Sequence, residues 1–206
     1  HLALDEIGVY LEKREVTGGQ EAVYASLYDY LTETVEQCPP GSGGVIFTPW
    51  LHGNRCPFED PAAAGMFFNI RLDTGKRALI RAVLEGVCFH LRWMLECQAR
   101  KVPTSDPVRF VGGGALSAVT AQMLADVSGR TVETVASPQN AGSVGAAAVM
   151  AVGLGVVPDL DAVGALIPPA AAFTPTPANR AVYDRQYAVF RRLYAANRAH
   201  FRALNG

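Results

Sequence analysis

Three consecutive glycines close the apolar run Val108-Arg-Phe-Val111 and lead straight into a helical pattern. A short β-branched and aromatic run that ends in glycine and opens into a helix is a strand-to-helix turn. Such turns belong to α/β architectures, in which helices cover a sheet. Glycine at the turn lets a backbone come close to a ligand, and the free N–H groups of the helix N-terminus attract an anion or a polar ring edge. A plain tight turn would read the same way. The stretch lacks both the GxGxxG spacing of a dinucleotide-binding fold and the terminal Gly-Lys-Ser/Thr of a P-loop.

The pattern on either side of this turn is also α/β. From Gln20 to Glu36 the positions Val23, Leu27, Tyr30, Leu31 and Val35 recur at helical spacing, and Cys38-Pro-Pro-Gly stops the run. Gly44–Thr48 reads as a buried strand and Trp50–Pro61 as a proline-bounded loop. Asp73 or Thr74 is placed to cap a long helix whose apolar positions Leu79, Ile80, Val83, Leu84, Val87, Leu91, Met94 and Leu95 keep the 3.6 period. Ser117–Val127 reads as a helix, Thr131–Val135 as a strand, and Gly142 to about Val152 as a small-residue helix buried in the fold. After Pro175 and Pro177, Tyr183, Tyr187, Phe190, Tyr194 and Phe201 stripe one face of an amphipathic helix whose other face is rich in arginine. Such a stripe belongs against a core, with the charged side in water.

A chain of 206 residues suits one domain with a sizeable core. A formal net charge of -1 gives no electrostatic footprint for nucleic acid or an anionic membrane, so neither is expected as a partner. The apolar stretch Val144–Val157 is too short and glycine-rich to span a bilayer. Cys38, Cys56, Cys88 and Cys97 match neither a metal pair nor a disulfide framework, so each is expected as a small core hydrophobe in a reducing cytoplasm. No signal segment opens the chain, and His1 falls within a patterned stretch, as in a piece of something longer.

Few residues stand out for catalysis. His1, His52, His90 and His200 are scattered, and His90 falls within the long helix. Arg81 and Glu85, spaced i, i+4, read as an ordinary ion pair. Asp60, Asp73 and Asp126 lie near loops or turns without a partner that marks a base. The chain therefore offers binding elements, and no catalytic residue is assigned to it.

The order of the motifs points further. Thr48-Pro-Trp-Leu-His-Gly-Asn-Arg-Cys-Pro57 resembles the Pro-Tyr-Leu-x-Gly-Glu-Arg-x-Pro loop of the FGGY carbohydrate kinases. Gly65–Ile70 through Leu79–Gly86 is similar to their second signature. Gly112-Gly-Gly-Ala-Leu-Ser117 with Gln122-Met-Leu-Ala-Asp126 resembles Gly-Gly-Gly-Ala-x-Ser followed by Gln-x-Leu-Ala-Asp, and Gly145-Ala-Ala-Ala148 and the striped tail continue the likeness. It is nearest to the xylulose kinases. Three positions depart from the family's usual residues: Asn69 stands for glycine, Ala78 for a polar residue and Asn54 for glutamate.

The resemblance implies an actin-like, ribonuclease H-like α/β fold: a mixed sheet flanked by helices, ending in the amphipathic helix. Residues 1–206 would form the C-terminal nucleotide-binding domain, with 175–206 as its helical tail. The N-terminal sugar-binding domain would be absent, and with it the phosphate loops and the catalytic aspartate. The implied partners are ATP with Mg2+ and a small sugar, most readily a ketopentose such as xylulose; a homodimer is left open. Gly112, Gly113 and Gly114 would approach the nucleoside, with Ser117 and Ala118 beside it. The rival reading is a non-catalytic actin-like module for sugar sensing or protein association, with Asn54 and Asn69 as marks of drift. A Rossmann-type oxidoreductase is disfavoured by the missing GxGxxG.

Overall fold

The computed structural model of the chain describes residues 27–206. The expected first helix is present from Leu27–Glu36 (α1), and its predicted start at Gln20 lies outside the described residues. Beyond the two prolines the backbone turns through Gly41 at φ +90°, where a side chain would also meet Val182 Cγ2 at 2.5 Å. A short 3-10 turn over Ser42–Gly44 leads into Ile46–Thr48 (β1), so the expected strand begins two residues late.

The strand β1 pairs antiparallel with Met66–Phe68 (β2), which the sequence had not marked as a strand. Phe47 and Phe67 pack across this pair at 4.8 Å. The long helix runs over Lys76–Ala99 (α2). Its N-cap is Gly75 rather than Asp73 or Thr74. The Thr74 hydroxyl accepts from the Arg71 N–H instead, closing the turn before the helix.

A second, mixed sheet has the order β3-β4-β5. Val108–Arg109 (β3) lies parallel to Val132–Val135 (β4), and β4 pairs antiparallel with Pro169–Phe173 (β5). Ala118–Ser128 (α3) links β3 to β4, as a crossover helix should. Ala141–Gly153 (α4) and Leu160–Leu166 (α5) separate β4 from β5. The tail is Arg180–Asn205 (α6).

The core gathers between β1, α2, α3 and α6. Trp50 is buried at its centre, against Phe58, Phe190 and Tyr194 at 5.3, 5.7 and 5.8 Å. Tyr183, Tyr187, Phe190 and Phe201 are buried, so the aromatic stripe packs as its spacing predicts. Cys38 and Cys88 are core residues, whereas Cys56 is exposed and does not have the expected core role.

Helix α4 departs from expectation. Its composition is that of a core helix, yet none of its residues is buried; Val149 and Met150 are 60% and 63% exposed, and Leu154 beyond it 74%. Small and apolar residues predict that a helix will be covered, but they do not supply the cover.

Asn69 adopts φ +65°, in the left-handed region, and its side-chain amide donates to the Gly44 carbonyl at 3.0 Å. Asparagine is among the few residues besides glycine that enter this region, so the departure at this position keeps a glycine-like backbone. Asn69→Ala is expected to cost about 1–2 kcal/mol, while Asn69→Gly should stay near the parent. Equal losses in urea unfolding would show that backbone conformation is not what the position requires.

Candidate functional site

The glycine turn is built from β3, a 3-10 turn over Gly113–Leu116 and the N-terminus of α3. It brings all five expected residues, Gly112, Gly113, Gly114, Ser117 and Ala118, into one continuous turn. The left-handed φ belongs to Gly112, at +90°; neither Gly113 nor Gly114 has one. The Gly112 N–H donates to the Pro138 carbonyl at 2.8 Å, and the Ala115 N–H returns to the Gly112 carbonyl at 3.1 Å. The turn is thereby pinned from behind.

Its front is open. A Cβ on Gly112 or Gly113 would meet no atom within 4 Å, and one on Gly114 would touch only the Phe110 ring, at 3.1 Å. The Ser117 hydroxyl caps α3 by accepting from the Thr120 N–H at 3.3 Å, and Ala118 is the first, exposed residue of that helix.

A second helix N-terminus lies beside the first. Pro138, which accepts from Gly112, opens the short turn that leads into α4 at Ala141, and the Asn140 side chain makes no capping bond there. The start of α4 without a side-chain cap, beside the Ser117-capped start of α3, gives this corner of the surface a positive end. Both helices are legible in the sequence, but periodicity does not report which helix starts are adjacent.

The far end of α3 is anchored by Asp126. One carboxylate oxygen accepts from Gln122 Nε2 at 2.8 Å and from the Thr176 N–H at 2.7 Å, while the other accepts from Asn179 at 2.6 Å. Asp126 is buried. Its partners make it a tie between α3 and the tail. The i, i+4 spacing of Gln122 and Asp126 was the available signal for this role.

The Arg81–Glu85 ion pair expected from the i, i+4 spacing is present, and it is more than an ordinary pair. Both residues are buried, with Arg81 Nε 2.7 Å from Glu85 Oε1. Burial, and then the Glu85 carboxylate beside it, push the Tyr183 hydroxyl well above the usual tyrosine range. His90 accepts from the Trp50 indole N–H at 3.3 Å, and burial holds its imidazole below the ordinary histidine value. Burial likewise raises the Cys88 thiol, which makes it an inert core residue. Among the described residues no three His, Cys, Asp or Glu side chains converge to hold a metal.

Comparison with known proteins decides the family. The C-terminal domain of the FGGY family of carbohydrate kinases matches residues 11–154, more than half of the chain. The chain belongs to that family. Its FGGY relatives include a xylulose kinase of Lactococcus lactis, 32% identical over 170 residues that cover 81% of this chain and 34% of the relative. A gluconokinase of Bacillus licheniformis is 38% identical over 104 residues, covering 48% of the chain and 20% of the relative. The crystal structure of xylulose kinase from Rhodospirillum rubrum superimposes with a TM-score of 0.73 at 32% identity, over 85% of this chain and 35% of that one. The fold is thus the actin-like fold of the FGGY sugar kinases. The chain matches about a third of the length of the xylulose kinase and a fifth of that of the gluconokinase. Among the described residues, no helix is long and apolar enough to cross a membrane.

Proposed function

We propose that this chain is the nucleotide-binding part of an ATP-dependent carbohydrate kinase that phosphorylates a hydroxyl of a small sugar, most readily a ketopentose such as xylulose. The observation that carries the reading is the open glycine turn beside two helix N-termini, one of them, that of α4, without a side-chain cap. Gly113 and Gly114 give the adenosine access to the backbone, with Ser117 and Ala118 at its edge, and the helix ends favour the adjoining phosphates. MgATP supplies the phosphoryl group, and the metal ligands and catalytic base come from outside this chain. Catalysis of this kind depends on in-line positioning of the hydroxyl and on cationic stabilisation of the phosphates.

The N-terminal sugar-binding domain belongs, on this reading, to the same cytoplasmic protein. The uncovered apolar side of α4, which starts beside the turn, supports a docking face for the rest of the kinase. The glycine-like backbone of Asn69 is retained and speaks against drift towards a non-catalytic module.

Gly113→Val in the full-length protein tests the reading cleanly, because the new side chain meets no protein atom at its Cβ and the backbone there needs no left-handed φ. ATP should bind at least about tenfold more weakly, a loss of about 1.4 kcal/mol, with sugar affinity and melting temperature nearly unchanged. Unaltered ATP affinity, measured by titration of each ligand separately, would remove the turn from the nucleotide site.

A further inference from the structure

We propose that His90 is a pH-sensitive latch, which holds the Trp50–Pro61 loop against α2 while its imidazole is neutral and releases that side of the loop when a proton arrives. The loop joins β1 to β2 and is knit internally. Asn54 and Asp60 exchange backbone hydrogen bonds at 3.0 and 2.9 Å. The Asn54 amide donates to the Phe58 carbonyl at 2.7 Å and to the Cys56 carbonyl at 3.2 Å. A loop closed on itself in this way moves as a unit, so its attachments decide its position.

Those attachments lie on two sides. On the α6 side Tyr194 donates to Asp60 at 2.8 Å and its ring stacks on Phe58 at 3.6 Å. On the α2 side His90 stands between Trp50 and Cys56. Its Nδ1 accepts from the Trp50 indole N–H at 3.3 Å, and the ring also hydrogen-bonds the Cys56 backbone. Together the two bonds fix the tautomer: Nδ1 keeps its lone pair, and the proton on Nε2 serves the Cys56 carbonyl.

A second proton has only Nδ1 to go to. There it would meet the Trp50 N–H donor to donor, at a residue 1% exposed in the centre of the core. An N–H so deeply buried is costly to leave without an acceptor. The protonated ring therefore turns away, and in turning it gives up both Trp50 and Cys56.

No charged side chain among the described residues shifts the titration of this ring; burial lowers it, against the Cys56 bond. Trp93, on the same helix, faces it at 6.5 Å. Charged groups of the surrounding elements are engaged elsewhere: Asp60 with Tyr194 and Arg198, Glu96 with Arg92 and Tyr187, and Arg191 over the Trp93 ring. His52, Arg55, Cys56 and Glu59 of the loop are exposed. The α6 attachment outlasts the change, because the Tyr194 hydrogen bond holds the Asp60 carboxyl below the usual carboxylate range. Acid thus frees one side of the loop and leaves the other as a hinge. Folded His90 takes a proton less readily than the unfolded chain does. Its contribution to stability is complete above the ordinary histidine value of about 6.5 and is lost as pH falls from there through the folded value.

The test follows the full-length protein, with nitrogen-15 in its histidine rings, from about pH 7.5 to about pH 5.0 by NMR and tryptophan fluorescence. Nδ1 of His90 should be unprotonated at neutral pH. Tryptophan emission should shift in one step, at a midpoint below about 6.5, while far-ultraviolet circular dichroism stays constant. His90→Gln keeps an acceptor for Trp50 and a donor for Cys56 but does not titrate. It should keep the neutral emission throughout and lose most of the parent's acid-induced fall in melting temperature. His90→Leu, with neither group, should show the acid emission at every pH; if it fails to fold, the parent and His90→Gln decide the matter alone. A step that persists in His90→Gln, a parent without a step, or a proton on Nδ1 at neutral pH would each overturn the proposal. These readings need neither ATP nor sugar, so they stand apart from the kinase reading.

Discussion

Replacing Glu85 with alanine is expected to destabilise the protein by about 3–5 kcal/mol, the cost of breaking a buried ion pair by removing one partner. Glu85 is 1% exposed and accepts four hydrogen bonds, from Arg81 Nε at 2.7 Å, the Gly41 N–H at 2.9 Å, the Tyr183 hydroxyl at 3.0 Å and the Ser42 hydroxyl at 2.7 Å. Arg81 in turn donates to the Val35 and Cys38 carbonyls and to Tyr183. Deleting the carboxylate leaves a buried guanidinium without its counter-charge and strips three further donors of their acceptor. The Gly41 turn, α2 and α6 meet at this carboxylate, and Arg81 ties in the end of α1, so the loss should appear as one cooperative shift in urea unfolding. A loss below about 1 kcal/mol, the scale of an exposed pair, would mean that the network is solvated and does not join those elements.

Gly86→Ala should also destabilise, by about 1–3 kcal/mol, as overpacking does. The sign is what makes this informative. In an exposed helix interior the same change gains about 1 kcal/mol, because alanine is the better helix former. Here a Cβ would lie 2.2 Å from the Phe47 carbonyl oxygen and 3.3 Å from Phe47 Cβ. Backbone cannot swing aside as a flexible side chain can, so α2 would have to move away from β1. A raised melting temperature for this variant would show that α2 and β1 are farther apart than described.

Much of this was legible in the sequence, and the parts that were not have physical reasons. The glycine turn, α2, α3, β4 and α6 follow from periodicity and breakers, and the five expected turn residues fall together. β2 escaped because Met66–Phe68 is three apolar residues with no alternation to read. β5 escaped because Pro-Ala-Ala-Ala-Phe is poor in strand formers; proline at its first residue fits a strand start. The cover of α4 could not be read, since composition states a preference for burial and not its fulfilment. Spacing gave the Arg81–Glu85 pair but not its surroundings, and the left-handed residue of the glycine turn proved to be Gly112. The place of His90 between Trp50 and Cys56 had no sequence signal at all, since it depends on what α2 packs against.

The way α6 closes the core sets an order on the making of this protein. Tyr183 meets Arg81 across 102 residues of chain, and Gln186 meets Gly41 across 145. Until the last helix has left the ribosome, Trp50 and Phe89 have no lid, and the Glu85 carboxylate lacks one of its donors. The domain therefore cannot mature in step with its synthesis. Any transcript cut short before Arg180 would yield a product with an open aromatic core, marked for chaperones and proteases rather than for function.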